Sequence, residues 1–337
     1  MFFAIRTFLN FLFSFSLISP VHAVPFFSKK KEIEIGRSGD KQIVLQFGIY
    51  QDKTLQLYVN TIGQKLVSKL SNKEFRKFHF KLVDSSEINA FALPGGYVYV
   101  TRGLLAALNN ESELASVIGH EIAHVTLHHG AKLMIRSIGA QIFSVGGSLA
   151  SPKNAGKWLA VSTALFQQIN MGYGRKAELE SDLQGMLNSV EAGYHPNAMV
   201  NFLQNLRKQE VMSGQAYHGF QASHPETKER IVKAGTFAVS LSQKYTASII
   251  NKNIYLQKLQ GLVYGGKKHL KDKSKYKSKY LDIYKVQKGD TLRSISNKIY
   301  KDDRHSYEIA TINGIKDSTT LNPGRILKII RDGVYKY

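Results

Sequence analysis

Apolar and polar positions alternate in blocks that suggest two domains behind an export signal. The densest apolar run, Phe8 to Ile18, follows Arg6 and precedes Val21-His22-Ala23, so residues 1–23 read as a cleavable secretory signal. That run is shorter than the roughly 20 residues a membrane span needs. From Leu55 to Leu70 (LQLYVNTIGQKLVSKL) apolar residues recur at helical spacing, and FKLVD at 80–84 is strand-like. Residues 88–93 and 97–101 read as two short strands, and Pro94-Gly95-Gly96 between them suits a tight reversal, so a hairpin is expected. Helical spacing then dominates, at 112–129, 132–146, 157–169, 175–192, from Pro196 to about 209, and from Pro225 to Ala234. After Gly265-Gly266 the stretch 267–280 (KKHLKDKSKYKSKY) sets seven Lys against one acid, which reads as a linker, and residues 283–330 alternate strand, helix, helix, strand. The expected fold is α+β: a mostly helical domain with a small hairpin or sheet at 24–264, a Lys-rich linker at 265–282, and a small βααβ module at 283–337.

Composition narrows the partners. The 337-residue chain has no cysteine, so an exported protein of this sequence holds together by core packing, with a metal as the remaining aid. Its formal charge of +21 calls for a nearby polyanion. For an exported chain that means cell-wall polymers or an anionic membrane surface; the export signal argues against nucleic acid.

Residues 119–129, GHEIAHVTLHH, hold four of the chain's eleven histidines. On a helix His120 and His124 project from one face, so both rings can converge on one cation, and Glu121 lies about 100° round beside them. Leu114, Ile118, Ile122 and Val125 form the opposite, apolar stripe, which lets the helix be buried while the histidines face a cleft. The pattern is HExxH, two zinc ligands with a general base. A third ligand is needed. His128 is another turn on, and three successive turns spread side chains over about 12 Å, too far for one ion. The third-histidine class that places Gly at 127 and His at 130 is excluded by Leu127 and Gly130. A carboxylate on a second helix remains, and GRKAELESDLQGMLNSVEAG offers Glu178 as ligand, with Asp182 one turn later to accept a hydrogen bond from the far nitrogen of a ligating histidine. Leu179, Leu183, Met186 and Leu187 are expected to pack that helix. Without HExxH, Glu178, Glu180 and Asp182 would read as a solvated acidic face.

With NAFALPGGYVYVTRGLL at 89–105, HEIAHVTLHHG at 120–130, ELESDLQG at 178–185 and SHPETKERI at 223–231, the chain resembles the HtpX/BepA-like zinc metalloendopeptidases, relatives of the CAAX prenyl proteases. The resemblance implies a gluzincin fold in which His120, His124 and Glu178 bind one zinc per chain and Glu121 is the catalytic base. It also implies that His224 and Arg230 lie near the metal, His224 as a regulatory ligand or, like Arg230, as a stabiliser of the oxyanion. Ser181 stands where the family usually has Ala, and His128 where Arg is common. Substrates would be polypeptides, envelope proteins that are misfolded or unassembled, with the outer-membrane assembly machinery as a partner. Gly96, with Tyr97, Val98 and Tyr99 of the strand at 97–101 that follows it, is read as an edge that pairs with extended substrate backbone; the alternative is an ordinary structural strand.

Residues 284–330 resemble a LysM domain, with KGDTL closing its first strand and Asn313-Gly314-Ile315 preceding LNPGRILKI. This implies binding of N-acetylglucosamine glycans, chiefly peptidoglycan, through Gly289, Asp290, Thr291, Leu292, Asn313 and Ile315. Several of these have structural duties too: Asp290 or Thr291 caps the first helix, and Asn313-Gly314 ends the second. The leading reading is a zinc endopeptidase of the bacterial envelope, periplasmic and tethered to peptidoglycan. A chaperone-like binder with a latent zinc site and an endopeptidase of peptidoglycan crosslinks are the alternatives.

Overall fold

The computed structural model describes residues 28–71, 77–135, 155–213, 219–225, 228–266 and 278–335. The expected signal at 1–23, residues 136–146 of one expected helix and residues 267–277 of the linker lie outside the described residues. Among the described residues no helix is long and apolar enough to cross a membrane.

The chain opens with α1 (Lys29–Phe47), upstream of the first helix expected, and α2 (Lys53–Ser68). Each has a side-chain cap: Ser28 accepts from the Lys31 N–H and Asp52 from the Leu55 N–H, supplying acceptors that the first turn lacks. A three-stranded sheet follows, built from β1 (His79–Val83), β2 (Ala90–Leu93) and β3 (Tyr97–Thr101) in the order β1-β3-β2. The expected hairpin forms, with Ala90 opposite Val100 and Leu93 opposite Tyr97. Gly96 turns at φ 95°, and a Cβ there would lie 2.4 Å from the Lys77 carbonyl oxygen.

β1 pairs parallel to β3 from His79–Tyr97 to Val83–Thr101, which makes β3 the central strand. Gly96, Tyr97, Val98 and Tyr99 therefore do not form the substrate edge expected of them, because β1 occupies the side of β3 that a local hairpin reading leaves open. The edges of the sheet are β1 on that side and β2 on the other. The sheet separates two cores by its alternation: Ala90, Ala92, Val98 and Val100 face one cluster, and Phe91, Leu93, Tyr97 and Tyr99 the other.

The helices that follow are α3 (Arg102–Ala107), α4 (Glu111–Thr126), α5 (Ala155–Asn170), α6 (Arg175–Glu191), α7 (Ala198–Ser213), α8 (Lys228–Lys244) and α9 (Lys252–Lys258). α4 is buried from Glu111 to Val125, and its start is fixed reciprocally: Asn110 accepts from the Glu113 N–H, while Glu113 accepts from the Asn109 N–H. α4 and α6 touch through glycine. A Cβ on Gly185 would sit 2.6 Å from the His120 nitrogen, so only glycine permits this approach. The buried face of α6 is accordingly Glu178, Ser181, Asp182, Gly185 and Met186, whereas Leu183 is 36% exposed. Of the expected stripe, Met186 is buried in the main core and Leu187 packs against it, Leu179 is half-buried, and Leu183 faces outward.

The C-terminal module contains β5 (Lys279–Lys285), α10 (Leu292–Tyr300), α11 (Ser306–Ile312) and β6 (Ile326–Asp332), the expected βααβ order. β5 starts inside the stretch read as linker, so residues 279–282 belong to the module's sheet. β4 (Val263–Tyr264) from the main domain adds to that sheet as its third strand. The module is docked. Leu281 and Ile330 join the main domain's core, and Lys328 is fully buried, its Nζ donating to the carbonyl oxygens of Ala106 and Leu108 at 2.8 Å each. These are last-turn carbonyls of α3 and its C-cap, which have no intrahelical partner.

Candidate metal centre

α4 delivers His120, Glu121 and His124, α6 delivers Glu178 and Asp182, and the turn after Phe220–Ser223 delivers His224; all six are buried. His120 Nε2 lies 3.0 Å from His124 Nε2, 3.3 Å from His224 Nδ1 and 3.4 Å from Glu178 Oε2. Glu178 Oε1 is 3.6 Å from His124 Nε2 and 3.2 Å from His224 Nδ1. Tetrahedral ligands at about 2.0–2.2 Å from zinc stand about 3.3–3.6 Å from each other. His120, His124, Glu178 and His224 thus form a donor set of the right chemistry and nearly the right spacing for one small cation.

The polar atoms around this set have separate tasks. His120 Nδ1 meets Asp182 Oδ1 at 2.9 Å, and Arg230 clamps Asp182 through Nε and a terminal nitrogen at 2.7 Å each. Burial works against charge on His120, but the hydrogen bonds of Asp182 and Glu178 outweigh it and raise the imidazole to about 9. Burial would raise Asp182, and Arg230 more than reverses it; burial would raise Glu178, and His224 and His120 hold it well below the ordinary carboxylate range. His124 is held well below its ordinary value by burial and by His120 beside it. Both Glu121 oxygens are buried without a hydrogen-bond partner among the described residues, and burial raises that carboxyl. His224 Nε2 faces it, 3.4 Å from Oε1.

Arg230 departs from its expected role. Besides Asp182 it contacts Glu178 Oε2 at 3.1 Å and donates to the carbonyls of His224 and Pro225 at 3.1 Å, so it braces the acids and the turn instead of facing a substrate carbonyl. His128, left-handed at φ 56°, points away from the cluster to Glu32 at 2.8 Å. Two neighbours escaped sequence reasoning. Tyr173 stacks on the His124 ring with centroids 4.0 Å apart and its hydroxyl donates to the Ala92 carbonyl; His129 Nδ1 lies 3.0 Å from His124 Nδ1, and burial pushes His129 down to about 4. The signal for His129 was its place in the histidine run; Tyr173 had none.

β2 borders this centre. Asn89 accepts from the Thr101 N–H, so the odd residues of β2 bond to β3 and the even ones, Ala90 and Ala92, direct their backbone groups to the outer side, where the Ala92 carbonyl accepts from the Tyr173 hydroxyl. Ile88, in the same phase, already accepts there from the Phe220 N–H.

Residues 53–237 match the model of peptidase family M48. The chain belongs to this family. Residues 284–329 match the LysM domain. The M48 chain is 33% identical over 226 residues to the beta-barrel assembly-enhancing protease of Yersinia pestis, covering 65% of this chain and 46% of that protein. Identity to the Escherichia coli (strain K12) protein of the same name is 31% over 240 residues, 69% of this chain and 48% of the relative. The mitochondrial metalloendopeptidase OMA1 of Schizosaccharomyces pombe is 27% identical over 213 residues, 60% of this chain and 59% of the relative. The chain spans about half the length of the beta-barrel assembly-enhancing proteases it matches.

In the LysM module the expected glycan residues divide. Gly289 and Thr291 are exposed and Ile315 is half-buried. Thr291 caps α10 in a reciprocal pair with Ser294, and Asp290 accepts from the Gln287 N–H and the Tyr284 hydroxyl. Leu292 lies in the module core, 3% exposed. The Asn313 side chain is spent on the Ile309 carbonyl and on the Lys328 N–H and carbonyl. Leu292 and Asn313 thus shape the loops from inside, and their side chains do not face a glycan as expected. Gly314 packs against the main domain, where a Cβ would stand 3.0 Å from Asn205 Nδ2 and 3.1 Å from Asn109 Nδ2.

Proposed function

We propose that the chain is a zinc-dependent endopeptidase of the bacterial envelope, cutting misfolded or unassembled envelope proteins while its LysM module holds peptidoglycan. The observation that carries this reading is the buried His120–His124–Glu178 set at tetrahedral spacing with the unpartnered Glu121 carboxylate beside it. Family M48 membership supports peptide hydrolysis; the names of the β-barrel assembly-enhancing relatives and the LysM match support envelope substrates, the outer-membrane assembly machinery as partner and a periplasmic location.

His120, His124 and Glu178 would hold the zinc. Bound there, zinc supplies a Lewis acid that polarises the scissile carbonyl. Glu121 takes a proton from the attacking water and returns it to the leaving amine; its raised pKa suits a group that must hold the proton between the two steps. Asp182, braced by Arg230, keeps the His120 proton on Nδ1 and leaves Nε2 for the metal. Extended substrate backbone would pair along the outer side of β2 at Ala90, between the carbonyls of Ile88 and Ala92 that Phe220 and Tyr173 already occupy.

A latent form is the second reading, and it has its own observation: His224 Nδ1 sits among the donors at 3.2–3.3 Å, in the position a catalytic site keeps open. On this reading the turn carrying His224 must withdraw before substrate enters.

Metal analysis beside a casein-type digestion, with and without chelator, tests the proposal. Zinc near one per chain and chelator-sensitive cutting are expected; no zinc, or cutting unchanged in Glu121→Gln, would overturn it. Purified peptidoglycan as substrate separates an endopeptidase of crosslinks from one of proteins.

A further inference from the structure

We infer that His129 is a positioning residue for the metal centre: anchored by Glu180, it holds the proton of His124 on Nδ1 and so presents Nε2 of His124 to the ion. The inference deepens the zinc reading above and rests on it.

The proton count leads there. His124 Nε2 faces the other donors, at 3.0 Å from His120 Nε2 and 3.6 Å from Glu178 Oε1, so Nε2 is the ligating atom. A neutral imidazole that ligates through Nε2 carries its hydrogen on Nδ1, and that hydrogen needs an acceptor in a buried site. The atom facing it is His129 Nδ1, at 3.0 Å. Two ring nitrogens in contact share one proton. With His124 as donor, His129 Nδ1 accepts, which leaves the His129 proton on Nε2, and that nitrogen lies 3.2 Å from Glu180 Oε2. Every group in the chain from Glu180 to His129 to His124 then has one role. The Ser181 hydroxyl also lies near His129 Nδ1, at 3.2 Å, farther than the His124 nitrogen at 3.0 Å that takes its single lone pair.

Local backbone makes the contact. On a continuous helix His129 would be about 140° round from His124 and could not meet it. α4 ends at Thr126, and the left-handed turn at His128, φ 56°, redirects the chain so that the two rings meet at 70° with centroids 5.0 Å apart. Tyr173, stacked on the other side, fixes the plane of the His124 ring, and His129 fixes its rotation within that plane. The two zinc histidines are thus supported separately, His120 by Asp182 with Arg230, His124 by His129 with Glu180.

The experiment measures zinc affinity of the full chain by chelator competition, together with the absorption spectrum of its cobalt(II) form. His129→Phe keeps a ring without an acceptor, and His129→Gln keeps an acceptor without a ring. Losing such a partner typically weakens metal binding 10–100-fold. The expected result is at least a tenfold loss and an altered cobalt spectrum in His129→Phe, with His129→Gln within about threefold of the parent. Parental affinity and spectrum in His129→Phe, or equal losses in both variants, overturn the inference. If circular dichroism shows that His129→Phe is unfolded, Glu180→Ala and Glu180→Gln replace the pair: loss only in Glu180→Ala supports the relay, and no loss or equal losses overturn it. A parent chain that binds no zinc removes the functional reading itself, whereas a parent that binds zinc with insensitive variants removes only this inference.

Discussion

Replacing Lys328 by Met tests whether the LysM module is part of the folded body or a tethered passenger. Lys328 reaches across the domain boundary and donates to the Ala106 and Leu108 carbonyls at 2.8 Å, with the Ala107 carbonyl at 3.4 Å. Met keeps the volume and removes the donor, so the two close carbonyls stay buried without a partner. Each buried acceptor left unsatisfied costs about 1–3 kcal/mol, and relief of the lysine's own burial offsets part of that, so a net loss of about 2–4 kcal/mol is expected. In a protein of this size that lowers Tm by roughly 3–6 °C. Burial pushes Lys328 down to about 7 from its ordinary 10.5, with Glu113 opposing. The unfolded chain therefore binds more protons than the folded one between those values, so this residue's contribution to stability rises with pH from about 7 to 10 and is smaller below 7. Thermal and urea unfolding of both proteins at pH 7, 8 and 9 measures each part. A loss under about 1 kcal/mol at pH 8, or a gap between parent and variant that does not widen with pH, would refute the docking argument.

Gly185→Ala should cost about 3 kcal/mol or more and weaken zinc binding, since its Cβ would meet the His120 backbone at 2.6 Å; a calorimetric scan and metal titration read both. Asp182→Asn should weaken zinc binding about 10–100-fold through His120, measured by chelator competition. Glu178→Gln should lose far more zinc than Glu180→Gln, because Glu178 supplies a donor and the amide at 180 still accepts from His129; equal losses would mean the wrong carboxylate. Glu121→Gln should retain zinc and lose about 10²–10⁴-fold in turnover of a casein-type substrate. Co-sedimentation with purified peptidoglycan should fall partly between 0.1 and 1 M salt, as the screening length shrinks from about 10 to 3 Å, and the part that persists belongs to uncharged sugar contacts.

How far the chain could be read follows the range of the interactions involved. The donors His120, His124 and Glu178, and Asp182 behind them, were legible because helical spacing fixes which side chains share a face, and the structure brings those residues together. The same periodicity was right only in part on α6: Met186 and Leu187 pack on the core, but Leu183 is exposed and much of the buried face is polar or glycine, since it packs against a charged cluster and a neighbouring backbone. β3 was misread as an edge because its parallel partner β1 ends seven residues before β2 begins, and no local pattern announces that pairing. Arg230 looked like a donor for substrate; only the fold shows Asp182, Glu178 and two carbonyls already around it. Lys328 is the sharpest case. In ILKII it reads as the solvent-facing position of an alternating strand, and that inference is sound for an isolated module. Its burial depends on a second domain ending a helix opposite it, and the unpaired carbonyls of α3 select a lysine there where the module's own core would not. A polar residue on the outer face of a small domain thus carries information about docking that its local pattern conceals.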